Sequence, residues 1–294
     1  MTQAITGRRR GFDAIDAAAR RLSATGIESA WLDAELLIAA AAGVTRAEIL
    51  AGVAAQSSET LVRFDAMLVR REKREPLAYI LGHKEFYSLD FEVSPAVLIP
   101  RPETELAVAT ALEAFERTRD ARILDIGTGS GAIAIAIAVN AHDARITATD
   151  ISADALAIAK RNANRHQVPD RVTFRRADCF DTLDTEPPLE RFDLIVSNPP
   201  YIDDESIAGL EPDVRGYEPL VALRAGSDAL GFFRRIASGA RAHLQDTGEL
   251  IVEVGAGQAS AVADIFEQAG LRVASVLNDL AGHPRVVRAR AGGG

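Results

Sequence analysis

"ARILDIGTGSGAIAIAIAVNA", residues 121–141, changes character twice within its length. Ile123, Leu124 and Ile126 make a short β-type run. Gly127, Gly129 and Gly131 then interrupt it, and a continuous apolar stretch of helix-forming residues begins at Ala132. A strand that passes through a glycine turn into a helix lets a ligand approach bare backbone, and the helix N-terminus favours an anion. The spacing does not by itself name the ligand. Gly127, Gly129 and Ala132 also fit the dinucleotide-binding pattern with alanine in the last place, and a tight turn with no ligand needs glycine too. Asp125, two residues before Gly127, suits a positively charged amino group better than a pyrophosphate; a strand-end cap is its plainer reading.

The pattern continues on the C-terminal side. "ARITATD", "RVTFRRAD", "FDLIVSN", "GELIVEVG" and "LRVASVL" read as strands separated mostly by helical stretches. That alternation predicts an α/β fold with a mostly parallel sheet and helices on both faces. Ligands of such sheets bind beyond the carboxyl ends of the strands, so the residues there carry the functional reading. Asp150 follows the glycines by about 20 residues, the usual distance of an acid that accepts from both ribose hydroxyls. It could instead cap the helix that follows, as could Ser152. Asp178 could accept from an adenine amino group or be simply solvated. Cys179 is either a reactive thiol or, as lone cysteines usually are, a small hydrophobe.

The fourth of these strands ends in "SNPPY". Asn198 supplies an amide oxygen, and Pro199, lacking an N–H, offers only its carbonyl. Two acceptors can hold both hydrogens of one planar NH2 group. Pro200 stiffens the corner and Tyr201 adds an aromatic face. The corner suits a conjugated primary amine or amide, although a rigid loop would use some of the same residues.

Before Thr104 the chain reads differently. Residues 1–75 carry helical periodicity: Phe12, Ile15, Ala19 and Leu22; then Trp31, Ala34, Leu37 and Ile38, stopping at Gly43; then Leu61, Phe64 and Leu68, stopping at Pro76. Thr45 and Glu48 have the spacing of a capping box. "RREKRE", residues 70–75, reads as a solvated helix end. Residues 76–103, with turn-capable "GHKE" and "SP", read as a β-hairpin linker, and 104–294 as the α/β domain.

The 294 residues, 48% of them hydrophobic, are enough for two domains. A net charge of −9 argues against tight non-specific nucleic-acid binding. Cys179 is the single cysteine, so no intrachain disulfide can form and a cytoplasmic setting is expected. The basic N-terminus has no apolar segment behind it, no stretch is long enough to span a bilayer, and no repeat is visible. The five histidines lack metal-ligand spacing. The "AGGG" tail is expected to fray.

Together "LDIGTGSG", "TATD" and "NPPY" resemble a class I methyltransferase that uses S-adenosylmethionine. More of the chain resembles the peptide chain release factor glutamine methyltransferases, the HemK family. The stretches are "WLDAELL", "PLAYILGHKEFY", "VLIPRPETE", "SNPPYI", "YEPLVAL", "EVGAGQ" and "DLAGHPRVV". "IPRPETE" is the more discriminating, because the related enzymes acting on a ribosomal-protein glutamine usually differ there. The resemblance implies a Rossmann-like methyltransferase sheet behind a small helical substrate-recognition bundle. It implies that Gly127, Thr128, Gly129, Ser130 and Gly131 wrap the cofactor, with Asp150 on the ribose and Asp178 and Cys179 by the adenine. Asn198, Pro199, Pro200 and Tyr201 would surround the glutamine of the Gly-Gly-Gln tip of class I release factors. No direct nucleic-acid contact and no membrane is expected. Cys179 stands where some relatives carry a bulky aromatic, and Ala229 where glycine is expected. Arg101 and Glu103 fit either a cleft wall or an ion pair between domains, and Glu218 and Glu253 fit polar strand-end roles. The rival readings are a ribosomal-protein glutamine methyltransferase, a base-amine methyltransferase, a dinucleotide dehydrogenase and a non-enzymatic binding module.

Overall fold

The computed structural model describes residues 2–52, 57–115, 120–181, 183 and 189–292, with side chains from residue 13 onward. The Phe12 side chain and the last two glycines of the tail lie outside the described residues. The chain divides into two compact units, residues 1–82 with 211–217, and residues 83–210 with 218–294.

The first unit is helical: α1 (Thr2–Ala24), α2 (Ala30–Ala42), α3 (Arg46–Ala51), α4 (Ser58–Glu72) and α5 (Leu77–Leu81). Its core joins Ile15, Leu22, Leu37, Ile38, Phe64 and Leu68. The capping box at α3 forms: Glu48 N donates to Thr45 Oγ1 at 3.2 Å, and Thr45 N donates to Glu48 Oε2 at 2.8 Å. Two expected core residues lie outside it. Trp31 is 45% exposed and Leu61 40% exposed. Both sit in the first turn of their helix, where Ala30 and Thr60 take the inward positions. The Trp31 indole donates to Glu35 Oε1 at 2.7 Å.

"RREKRE" is not a solvated end. Arg71 is buried and bonds Asp33 Oδ2 and Asp213 Oδ2, each at 2.7 Å. Arg74 bonds Asp213 Oδ1 and donates to Gly26 O at 2.8 Å. Asp213 stands on α9 (Pro212–Tyr217), a short helix from the second half of the sequence that belongs to this unit. The charge run reads as exposed only because its acidic partners are far away in sequence.

The second unit begins with a hairpin, β1 (His83–Phe86) and β2 (Leu89–Glu92). It is shorter than the expected 76–103, since α5 precedes it and an irregular segment follows. It turns at Tyr87 and Ser88, both at positive φ, rather than at "GHKE" or "SP". Beyond the 3-10 turn Pro102–Thr104 come α6 (Glu105–Phe115), β3 (Arg122–Ile126), α7 (Ala132–Asn140), β4 (Arg145–Asp150), α8 (Ala153–Arg165), β5 (Val172–Arg176) and β6 (Phe192–Ser197). A small pair, β7 (Ile202–Asp203) and β8 (Arg224–Gly226), flanks α10 (Leu220–Leu223). Then follow α11 (Gly231–His243), β9 (Leu244–Glu253), α12 (Ala259–Gln268), β10 (Leu271–Asn278) and β11 (Pro284–Ala291).

The main sheet has the order β10-β11-β9-β6-β3-β4-β5. The five strands from β9 to β5 run parallel, and β11 is antiparallel to both neighbours. "PRVVRARA" was not among the expected strands; its three arginines mask the buried Val286, Val287 and Ala289. Both sheet faces are covered. Ile123, Leu194 and Ile251 pack with α6 and α7, while their neighbours Leu124, Ile195 and Leu250 pack with α11 and α12. Successive strand side chains alternate between faces, so a doubly covered strand is largely apolar on both.

Among the described residues no helix is long and apolar enough to cross a membrane, and no group of side chains could hold a metal ion.

Candidate active site

The sheet places the functional corners at neighbouring strand tips. Ile126 of β3 pairs with Ser197 of β6, and Ser197 Oγ donates to Ile126 O at 2.8 Å. The glycine loop and the Asn-Pro-Pro corner therefore leave the sheet side by side. β3 is connected through α7 to β4 on its other flank, so this is where the connections diverge, the usual ligand crevice of such sheets.

The loop has three glycines with two jobs. Gly127, Gly129 and Gly131 all have positive φ, between 56° and 82°. A Cβ at Gly127 or Gly129 would meet nothing within 4 Å, whereas one at Gly131 would lie 2.7 Å from Ile135 Cδ1 and 3.2 Å from Ala159 Cβ. The first two keep the cradle open and the third lets α7 and α8 pack closely. Asn162 secures the loop from behind. It is fully buried, and Nδ2 donates to Ser130 O at 2.9 Å and to Glu92 O at 3.0 Å. Sequence reading passed over Asn162, because an Asn in the middle of "AKRNANRH" gives no signal of what it reaches.

Asp125 lies under the loop rather than in the open crevice. It is fully buried; Oδ2 accepts from Thr128 Oγ1 at 2.6 Å and from Ala134 N at 3.2 Å, and Oδ1 has no partner. Burial pushes its acid up to about 7, with the nearby Asp150 carboxylate adding to the rise. Asp150 closes β4. Its Oδ2 accepts from Gly129 N and its Oδ1 from Ser152 N, both at 2.9 Å. Burial raises its pKa as well. Ser152, not Asp150, caps α8, accepting from Ala155 N at 3.1 Å.

A cavity of about 180 Å³ opens at this crevice. It brings together Gly127, Gly129, Asp150, Asp178, Cys179, Asn198, Pro199 and Pro200. Asp125, Thr128, Ser130, Gly131 and Tyr201 are not in its wall. Asp178 pairs with Arg235 at 2.8 Å, and the Arg235 guanidinium lies 5.4 Å over the Phe232 ring. Cys179 is buried and its thiol is pushed up to about 11 by burial, the character of an apolar wall and not of a nucleophile. Phe180 does not supply an aromatic surface to the cavity. It points into the core, stacked on His243 at 5.0 Å. Ile151, Phe232 and Ile236 supply apolar surface in its place.

Asn198 lines the cavity and donates from Nδ2 to Thr104 Oγ1 at 3.1 Å, a residue outside the cavity wall. Tyr201 is held by "EVGAGQ": Gln258 Nε2 donates to Tyr201 O and Gln258 Oε1 accepts from Gly255 N, both at 3.0 Å. A Cβ at Gly255 would press to 2.9 Å from the Tyr201 ring. Burial, with the Glu253 carboxylate nearby, pushes the Tyr201 phenol up to about 12, so it stays protonated. Glu253 at the end of β9 is 2% exposed, and its Oε2 has no partner. Burial pushes this acid up to about 7; Glu103 adds to the rise, while Thr104, Arg285 and Asn198 oppose it. Arg101 bonds Glu218 Oε1 at 2.5 Å, and Glu218 Oε2 accepts from Ile99 N at 3.2 Å. The Arg101 pair is thus internal to the second unit, and with the Ile99 bond it fixes the start of "IPRPETE".

The open glycine cradle, the Asp150 carboxylate at the next strand tip, the apolar wall and the unpartnered Asp125 Oδ1 fit a nucleoside carrying an amino acid. With the doubly covered sheet, they define a class I methyltransferase that draws its methyl group from S-adenosylmethionine. The comparisons agree. Residues 103–209 match the family described as Methyltransferase small domain, and residues 13–82 match PrmC N-terminal domain. The release factor glutamine methyltransferase of Cereibacter sphaeroides is 42% identical over 96% of this chain and 98% of its own. That of Pseudomonas aeruginosa is 44% identical over 88% and 91%. A solved methyltransferase from Pyrococcus furiosus superposes with a TM-score of 0.50 at 17% identity, over 78% of this chain and 98% of its own, a likeness of fold alone. The chain belongs to the release factor glutamine methyltransferase family.

Proposed function

We propose that the protein methylates the side-chain amide nitrogen of the glutamine in the Gly-Gly-Gln tip of class I release factors. The observation that carries this is the Asn198–Pro199 corner, which lines the same cavity as Gly127 and Gly129 of the glycine loop while Asn198 Nδ2 is engaged by Thr104. S-Adenosylmethionine, when bound, supplies a methyl group already activated on a sulfonium. Gly127, Gly129 and Asp150 would hold it, and the Asp125 carboxylate under the loop would favour its amino group.

An amide nitrogen is a poor nucleophile because its lone pair is delocalised into the carbonyl. In our reading Asn198 Oδ1 and the Pro199 carbonyl each accept one N–H. That sets the lone pair out of the amide plane and favours the pyramidal nitrogen of the transition state. Pro200 restricts the corner, and Tyr201 stays a neutral wall. Alignment of this kind contributes up to about 7–11 kcal/mol in the best cases. The helical unit serves recognition of the release factor, and the cytoplasm is the setting in which that partner is met.

The test is transfer of labelled methyl groups into purified release factors. Label in the intact factor, absent when the tip glutamine is replaced, supports the reading. Label in RNA or DNA, with none in a release factor, overturns it in favour of a base-amine substrate.

A further inference from the structure

The Asn198 side chain is planar, with one oxygen and one NH2, and half a turn exchanges them at almost the same shape. Only one orientation serves a substrate NH2; the other sets donors against donors. In the structure Nδ2 points at Thr104 Oγ1, 3.1 Å away. Thr104 cannot enforce that choice alone. A hydroxyl accepts from an NH2 or donates to a carbonyl oxygen equally well.

The choice needs a neighbour that only accepts. Parallel pairing of Ser197 with Val252 sets Asn198 beside Glu253 at adjacent strand tips. Glu253 is almost wholly buried, with one carboxylate oxygen unpartnered, and Thr104 and Asn198 are the neutral side chains acting on it. We propose that Glu253 is a positioning residue: its carboxylate accepts a hydrogen bond from the Thr104 hydroxyl, so that Thr104 can only accept from Asn198 Nδ2 and Asn198 Oδ1 is held towards the substrate amide. The inference rests on the methyl-transfer reading above and adds to it what polarises the corner.

The device is sensitive to protonation. A protonated Glu253 can donate to Thr104, which frees the hydroxyl to donate to Asn198 and allows the unproductive orientation. The charged and titratable groups facing Glu253 are Glu103 from the 3-10 turn, Tyr201 from the corner and Arg285 from β11. Burial outweighs Arg285 and sets the change near pH 7.

The experiment compares wild type, Glu253→Gln, Thr104→Val and Thr104→Ser, by kcat from pH 5.5 to 8.5 on a release factor and by S-adenosylmethionine affinity. Wild-type kcat is expected to fall as pH drops through about 7. Glu253→Gln is expected to lower kcat at pH 8 by about tenfold or more and to lose that acid limb, with cofactor affinity within about twofold. Thr104→Val is expected to match it, and Thr104→Ser to restore most of the rate. Wild-type rates with the acid limb intact in Glu253→Gln overturn the inference, as does a Thr104→Ser as slow as Thr104→Val. If Glu253→Gln does not fold, the two Thr104 variants decide. A wild-type protein that methylates no glutamine overturns the proposed function itself; an unaffected Glu253→Gln overturns only the role given to Glu253.

Discussion

Asn162 of α8 donates to the carbonyl of Ser130, 2.9 Å away, and with the same nitrogen to the carbonyl of Glu92 at the end of the hairpin. Its oxygen accepts from Glu92 N at 2.7 Å. One buried amide thus joins hairpin, helix and glycine loop. Asn162→Ala strands the buried Ser130 carbonyl, at roughly 1–3 kcal/mol for a group that water cannot reach, and the half-buried carbonyl and N–H of Glu92, which cost less. We expect a loss of about 2–4 kcal/mol in denaturant unfolding, together with weaker cofactor binding. Unchanged affinity in calorimetry would show that the loop holds its shape without Asn162.

The loop glycines separate binding from stability. Gly129→Ala meets open space, so its cost is the left-handed backbone, about 1 kcal/mol, and the lost approach of the ligand. Gly131→Ala adds overlap with Ile135 and Ala159 to the same strain. Gly131→Ala is therefore expected to lower the melting temperature more, and Gly129→Ala to weaken cofactor binding at near-native stability. Equal effects of the two on melting would contradict this division.

Much of this was legible in the sequence. The strand–glycine–helix stretch gave the sheet, and the strand ends gave Asp150, Asn198 and Pro199 as neighbours. What stayed hidden is what only distant pairing reveals. Arg71 reads as solvated until Asp33 and Asp213 are beside it. Glu253 reads as strand-end polarity until the β6–β9 register sets it by Asn198. Asp125 and Phe180 sit at the expected tips, but their side chains turn into the protein, a choice made by packing and not by position in the chain.

Arg71 supplies a stability test in the helical unit. Its guanidinium is buried against Asp33 and reaches Asp213. Arg71→Leu leaves the buried Asp33 carboxylate without its cation, for which about 3–5 kcal/mol is the expected loss. Adding Asp33→Asn should recover part of it, since the two positions share one interaction. Strict additivity in urea unfolding would mean that the pair carries no net coupling.

At the corner, Asn198→Ala removes one of the two acceptors proposed for the substrate amide while leaving the glycine cradle intact. By analogy with loss of one oriented partner in other active sites, kcat is expected to fall by about 100–1,000-fold. Cofactor affinity should change little by comparison. Single-turnover transfer with bound cofactor measures the chemical step directly, and a near-wild-type rate there would remove Asn198 from the mechanism.

Asp125 makes stability and binding depend on pH in a defined direction. Its acid is raised in the folded protein to about 7 from the ordinary aspartate value of 3.8. Between those values the folded protein holds a proton that the unfolded chain has released. The folded state is therefore favoured at the acidic end, and stability falls as pH rises towards 7, levelling once both states are ionised. Other acids contribute, so the informative quantity is the difference between wild type and Asp125→Asn, which should show a flatter profile from pH 4 to 7. A cationic amino group at the unpartnered Oδ1 would favour the ionised carboxylate, so cofactor binding near pH 6.5 should release protons to the buffer. Calorimetry in buffers of different ionisation enthalpy measures that release directly. Asp125→Asn should abolish its Asp125-dependent part, and an identical release in the variant would place the cofactor's amino group elsewhere.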